Sequence, residues 1–177
     1  MYQVIDDRYI CEVLSQYEKK EEDLRKEIQE MYSLLDRQTQ MQDDAIQSAS
    51  YHLNAFQLSA DVKDVSSTVL VYQKLLKKHQ TDIAEYISSL LSELDTIHRV
   101  MVCYYVLPTK DKKILEKFYC QDKEKYSIRV LELAKEFHLS ETSIKRRRRE
   151  ALKKLKELYE SNRSSDELLR LKTKGQL

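Results

Sequence analysis

The chain has 177 residues, with 31 Lys and Arg against 30 Asp and Glu, one proline and one glycine. The glycine is Gly175, so residues 1–174 cannot build a P-loop, a dinucleotide fingerprint or a nucleophile elbow, each of which needs glycine for positive φ or close backbone approach. With 34% charged residues, abundant helix formers and a single glycine and proline, the composition predicts an all-α protein.

The formal net charge of +1 conceals two unlike halves. Residues 1–100 carry 11 Lys/Arg against 18 Asp/Glu, a net of −7, and residues 101–177 carry 20 against 12, a net of +8. An asymmetry of that kind points to a nucleic-acid-binding end joined to something else. The three cysteines, Cys11, Cys103 and Cys120, have no CxxC spacing and read as reduced thiols. The longest apolar run, VMVCYYVL at 100–107, is far below the roughly 20 residues that cross a bilayer, and the polar start is not a signal peptide. The expectation is a cytoplasmic, non-membrane protein.

In chain order, the first element is a helix over 5–57, on the order of 75 Å long. Its seam runs Ile10, Leu14, Tyr17, Glu21, Leu24, Ile28, Met31, Leu35, Gln38, Gln42, Ala45, Ala49 and Phe56 at steps of three and four. Glu21, Gln38 and Gln42 weaken it in the middle. QLSADVKDVSS at 57–67 reads as a connector. Val69, Tyr72, Leu76, Ile83, Ile87, Leu90, Leu94, Ile97 and Met101 then predict a second long helix over 67–106, with a break near Lys77–Thr81. The two helices form either an antiparallel hairpin or a coiled coil that makes a homo-oligomer.

Pro108 ends the second helix and opens the next, and the domain boundary is placed there: long helices in 1–106, a compact domain in 107–160 and a short tail helix in 161–177. Three short helices are predicted, Thr109–Tyr119, Ile128–Phe137 and Glu141–Glu160, with Ser127 and Ser140 as N-caps. A last helix over Asp166–Lys172 follows, with Ser164 and Glu167 at capping-box spacing.

Residues 128–155 have the layout of a helix-turn-helix: IRVLELAKEF, the turn HLS, then ETSIKR. Val130, Leu133, Ala134, Phe137, Leu139, Ile144, Ala151 and Leu155 would share one small core. Four arginines in a row, Arg146 to Arg149, cover most of a helix circumference, because each residue advances about 100°. With Ile144 facing the core, Thr142, Lys145, Arg146, Arg149, Lys153 and Lys156 project away from it. Arg147 and Arg148 fall on the flanks, where they lay alkyl stems over the core or pair with Glu132 or Glu150.

LPTKDKKILEKFYC followed by VLELAKEFHLSETSIKRRRREALKKL resembles region 4 of bacterial sigma factors, over about 50 residues. Leu107–Pro108, Ile114, Leu115, Tyr119, Ala134, Leu139–Ser140, Ile144 and Ala151–Leu152 carry the likeness. Among relatives, it is most similar to phage transcriptional regulators of the ArpU and RinA type. The resemblance implies a three-helix domain whose second motif helix enters the major groove of double-stranded DNA, with contacts from Glu141, Thr142, Ser143, Lys145, Arg146, Arg149 and Lys153. It also implies a contact with RNA polymerase. Two positions depart from the pattern: His138 stands where glycine is common, which calls for a left-handed backbone, and Arg147 replaces an aliphatic residue.

Other constellations carry less. His52, His79, His98 and His138 are scattered without metal-ligand spacing, and the pairs Asp6–Asp7 and Asp43–Asp44 diverge on a helix. Tyr17, Tyr72 and Tyr86 fall near the apolar stripes, where helix-core packing with the hydroxyl at the rim is expected, and Tyr104, Tyr105 and Tyr126 are placed to cover the hinge at Pro108. The expectation is a non-enzyme without cofactor or metal. A transcriptional regulator of phage or mobile-element origin leads, and a small-terminase-like packaging adaptor or a helical protein–protein adaptor is the alternative.

Overall fold

A computed structural model describes residues 4–55, 62–120 and 125–173, with side chains omitted at 45, 48–55 and 62–69. The described residues are helical, without strands: α1 is Asp7–Ala55, α2 Val62–Val106, α3 Thr109–Leu115, α4 Tyr126–Glu136, α5 Glu141–Glu160 and α6 Ser165–Thr173. A π-helical turn, Glu116–Cys120, continues α3. No helix among these residues is long and apolar enough to cross a membrane. The chain divides into two compact units, one of residues 1–22 with 93–177 and one of residues 23–92. The division falls within the long helices, whereas Pro108 marks the α2–α3 junction, as the N-cap residue of α3.

The unit of residues 23–92 is an antiparallel pair of helical segments. Gln80 donates from Nε2 to Gln42 Oε1 at 3.2 Å, and the Tyr86 hydroxyl donates to Glu27 at 2.6 Å, so residues rise on one helix as they fall on the other. The polar Gln42 of the seam therefore meets a polar partner. Leu24, Ile28, Ile87 and Leu90 are buried, while Met31, Leu35, Leu76 and Ile83 are half-buried. Two expectations fail here. α2 runs unbroken through Lys77–Thr81, where Thr81 Oγ1 bonds back to the Lys77 carbonyl and so fits inside the helix. Tyr72 and Tyr86 are 45% and 46% exposed, outside the seam, because they sit on its flank. The seam positions Ala45, Ala49, Phe56 and Val69, and His52, lie outside the described side chains.

In the other unit, the last three turns of α2 are buried on nearly every side: Leu94, Thr96, Ile97, Arg99, Val100, Met101, Cys103, Tyr104 and Val106. Such a segment has core on several faces. The start of α1 contributes Ile10, Val13 and Leu14, and α5 and α6 contribute Ala151, Leu155, Tyr159 and Leu168. Asp6 caps α1 by accepting from Tyr9 N at 2.7 Å. Glu21 meets His98 Nε2 at 3.2 Å, so this seam carboxylate is also matched. α1 leaves helical geometry at Gln16, where φ is −130° and ψ is 22°.

Arg99 is the exception in this core, a guanidinium only 1% exposed. Its Nε and Nη2 donate to the Tyr159 carbonyl at 3.0 and 2.9 Å, Nη2 also to Ser161 O at 2.7 Å, and Nη1 to Arg163 O at 3.0 Å. Those carbonyls lie at and just beyond the end of α5, where a helix has no internal donors left and carries partial negative charge. The Tyr159 ring lies 5.6 Å from the guanidinium. Charge-assisted hydrogen bonds are roughly twice as strong as neutral ones, and removing the donor strands several buried acceptors. Arg99→Met is expected to destabilise this unit by about 3 kcal/mol or more. Denaturant unfolding followed by circular dichroism checks it, and a loss below about 1 kcal/mol would show that water replaces the donor.

Burial also pushes the Cys103 thiol up to about 11 and the Tyr9 phenol up to about 12. Both groups are neutral when protonated, so their raised values favour the folded state below the unfolded thiol range and cost it stability as pH climbs. Burial raises the Cys11 and Cys120 thiols as well. Unfolding free energy is therefore expected to fall from about pH 9 upward, and Cys103→Val should make that fall shallower without moving its onset.

Candidate nucleic-acid interface

α3, its π-helical continuation, α4 and α5 share one small core of Ile114, Phe118, Val130, Leu133 and Ile144, with Tyr119, Ala134, Phe137 and Leu139 packed against it. Ala151 and Leu155, expected in the same cluster, are buried further along α5. Lys154 pairs with Asp111 of α3 at 2.6 Å, and Lys113 and Lys117 reach Glu136 and Glu132 of α4 at 3.4 and 2.6 Å.

The junction between α4 and α5 is built by backbone chemistry. After Phe137, His138 takes φ 52°, the left-handed region. Its N–H donates to the Lys135 carbonyl at 3.3 Å, and Leu139 N–H reaches back to Ala134 at 2.9 Å. This is a Schellman ending, with Leu139 and Ala134 both against the core. Ala134 has the small side chain such an approach requires. Ser140 then caps α5: its Oγ accepts from Ser143 N at 3.2 Å and lies 2.9 Å from Ser143 Oγ. Ser127 is not the cap of α4, which starts two residues earlier than that cap implied, with Lys125 as N-cap and no side-chain bond.

Of the expected contact residues, Glu141, Thr142, Lys145, Arg146, Arg149 and Lys153 are exposed, and Ser143 is half-buried against Ser140. Thr142, Arg146, Arg149 and Lys153 lie at steps of three and four, so they form one stripe, with Lys145 on its shoulder. Arg146 and Lys153 make exposed i,i+4 pairs with Glu150 at 3.3 Å and Glu157 at 3.7 Å. Pairs like these contribute about 0.3–0.5 kcal/mol and yield readily to a stronger anion.

Arg148 lies over the small core, one of the two placements expected for it, and takes aromatic rings in place of an acidic partner. Its guanidinium lies 5.3 Å from the Phe118 ring and 5.5 Å from the Tyr126 ring. Glu150 is taken by Arg146, and Glu132 pairs with Lys117. The two rings are 5.4 Å apart and provide a surface for a planar cation, worth about 0.5–2 kcal/mol depending on desolvation. Tyr126 thus serves α5, not the hinge at Pro108, which Tyr104 and Tyr105 flank with Lys112 over their rings. Arg129 Nη1 donates to the Phe118 carbonyl at 2.6 Å, inside the π-helical turn. The signal for this cluster was present only as two aromatic residues, Phe118 and Tyr126, eight positions apart in the sequence. Arg99, which holds the far end of α5, showed only as a charge within an apolar run.

Among the described residues no group of three His, Cys, Asp or Glu side chains could hold a metal ion. No protein family, curated protein or solved structure matches the chain.

Because a side chain at a left-handed position costs roughly 1 kcal/mol, His138→Gly is expected to raise the unfolding free energy by about 0.5–1 kcal/mol. Chemical denaturation measures this, and a loss of stability would place the strain elsewhere.

Proposed function

We propose that the chain is a sequence-specific DNA-binding transcriptional regulator of phage or mobile-element type. In this reading α3, α4 and α5 make a helix-turn-helix like sigma region 4, and α5 lies in the major groove. The supporting observation is the division of labour around α5. Ile144, Ala151 and Leu155 are buried, whereas Thr142, Lys145, Arg146, Arg149 and Lys153 stand exposed along the opposite side.

Arg146 and Arg149 have the reach and planar donor fork to contact a guanine edge or a phosphate, and Lys145 and Lys153 supply phosphate contacts. Glu141, Thr142 and Ser143 occupy the first turn, where the Thr142 and Ser143 hydroxyls suit a phosphate or a base edge and the Glu141 carboxylate can accept from a cytosine amino group. Arg148 keeps α5 against the preceding elements, so it acts on DNA only through helix position. Contact with RNA polymerase rests on the sigma-like pattern.

Selection from a randomised duplex pool at physiological salt, followed by sequencing, is expected to enrich one motif. Salt-sensitive retention without a motif would favour a packaging adaptor, and no retention would assign the basic stripe to a protein surface. On the enriched duplex, Arg146→Ala with Arg149→Ala should reduce the slope of log K against log salt by about 2, since each phosphate contact contributes about 0.9. An unchanged slope would remove these two arginines from the interface.

A further inference from the structure

The unit of residues 23–92 leaves much of its own apolar surface uncovered. Its buried residues, Leu24, Ile28, Ile87 and Leu90, all lie at one end. Between Met31 and Ile83 no described side chain is buried, and the best-covered seam residues there are half-buried. Two helices in contact along one line cannot do better, since each turns most of its circumference to solvent. A seam this thin does not offset the entropy of ordering so many residues.

The uncovered apolar residues are not scattered. At 100° per residue, Leu34 and Met41 stand about 120–140° to one side of the Ile28 direction on α1. Leu75 and Tyr86 stand about 100–120° to the same rotational side of Ile87 on α2, and Tyr72 lies between them and the seam. Because the helices are antiparallel, those displacements bring both sets onto one face of the pair. The bond from Tyr86 to Glu27 lies on that side. Leu34, Met41, Tyr72, Leu75 and Tyr86 are 39%, 60%, 45%, 52% and 46% exposed. The opposite face presents Asp36, Asp43, Lys77 and Ser88, with Tyr32, Leu70 and Leu91 as apolar residues spaced apart along it.

We infer that a second copy of this chain covers this face, so that two hairpins form a four-helix bundle. The Gln42–Gln80 bond would put Met41 level with Thr81 and the staggered Glu27–Tyr86 bond would put it level with Tyr72; midway between them Met41 lies near the level of Leu75, and Met31 near that of Tyr86. A two-fold axis along the hairpin therefore lays each α1 antiparallel to α2 of the second copy at the same levels. Met41 meets Leu75, Met31 meets Tyr86, and Arg37 meets Asp82 at the rim. The apolar levels match and the rim charges are opposite, as an isologous interface requires. A contact about 30 Å long and two helices wide removes on the order of 600–800 Å² from each partner, the scale of a stable dimer. The inference is independent of the DNA-binding reading.

Sedimentation equilibrium of the full chain is expected to give twice the 21.1 kDa monomer mass. Met41→Glu with Leu75→Glu should weaken association by about 100-fold or more, while Ser88→Glu on the opposite face leaves it intact. Both targeted side chains are more than half exposed, so a folded monomer loses little by the change. As a second measurement, the wild-type melting temperature should rise with concentration over about a twentyfold range, and that of the double variant should not. A monomer mass for the wild type overturns the inference and leaves the face to a different partner. So does an oligomer that survives the double variant or breaks equally with Ser88→Glu.

Discussion

The position of α5 depends on one buried guanidinium. Arg99 sits in the most enclosed stretch of α2 and gives its donors to the carbonyls of Tyr159, Ser161 and Arg163. An apolar side chain there would pack, but it would leave the end of α5 with unsatisfied acceptors inside the protein. A lysine would supply charge without the planar fork that spans three carbonyls. The interaction ties a 20-residue helix to the core by its last turn, the part most prone to fray.

The opposite end of α5 is held by a different set of forces. The left-handed His138, the two Schellman bonds and the Ser140 cap fix where the helix begins. The Phe118 and Tyr126 rings then hold Arg148 about two turns further on. The arginine run thus separates by angle. Arg146 and Arg149 look outward, Arg148 lies against aromatic rings, and Arg147 is half-buried on the flank. With both ends fixed, the exposed stripe between them is preorganised, which lowers the ordering cost of meeting any rigid partner such as a DNA groove.

The two units reach stability by different routes. Residues 1–22 with 93–177 surround the end of α2 with helical segments and bury large side chains completely. Residues 23–92 have a single seam with polar layers, among them Gln42–Gln80, and an apolar flank beside it. Polar pairs inside a seam specify register at the expense of stability. A hairpin of that kind gains most from association, because a partner buries the flank and leaves the register unchanged.

Periodicity and punctuation alone gave the helix order, because backbone geometry makes spacing of three and four, Pro108, Ser140 and the Ser164–Glu167 pair local signals, although α2 begins at Val62, inside the stretch 57–67 expected to be a connector. The α4 and α5 side of the small core was legible in Val130, Leu133 and Ile144, whereas Ile114 and Phe118 were not expected in it and Ala151 and Leu155 lie further along α5. Ser127 as a cap and the break at Lys77–Thr81 were misread because weak local preferences yield when flanking turns continue the hydrogen-bond ladder. What the residue order could not contain was every partnership across long stretches of chain: Arg99 with the end of α5, Arg148 with Phe118 and Tyr126, Cys103 within its core. Each depends on which surfaces meet when helices pack, and a side chain's charge or ring says only what it can bond, not what will come within reach.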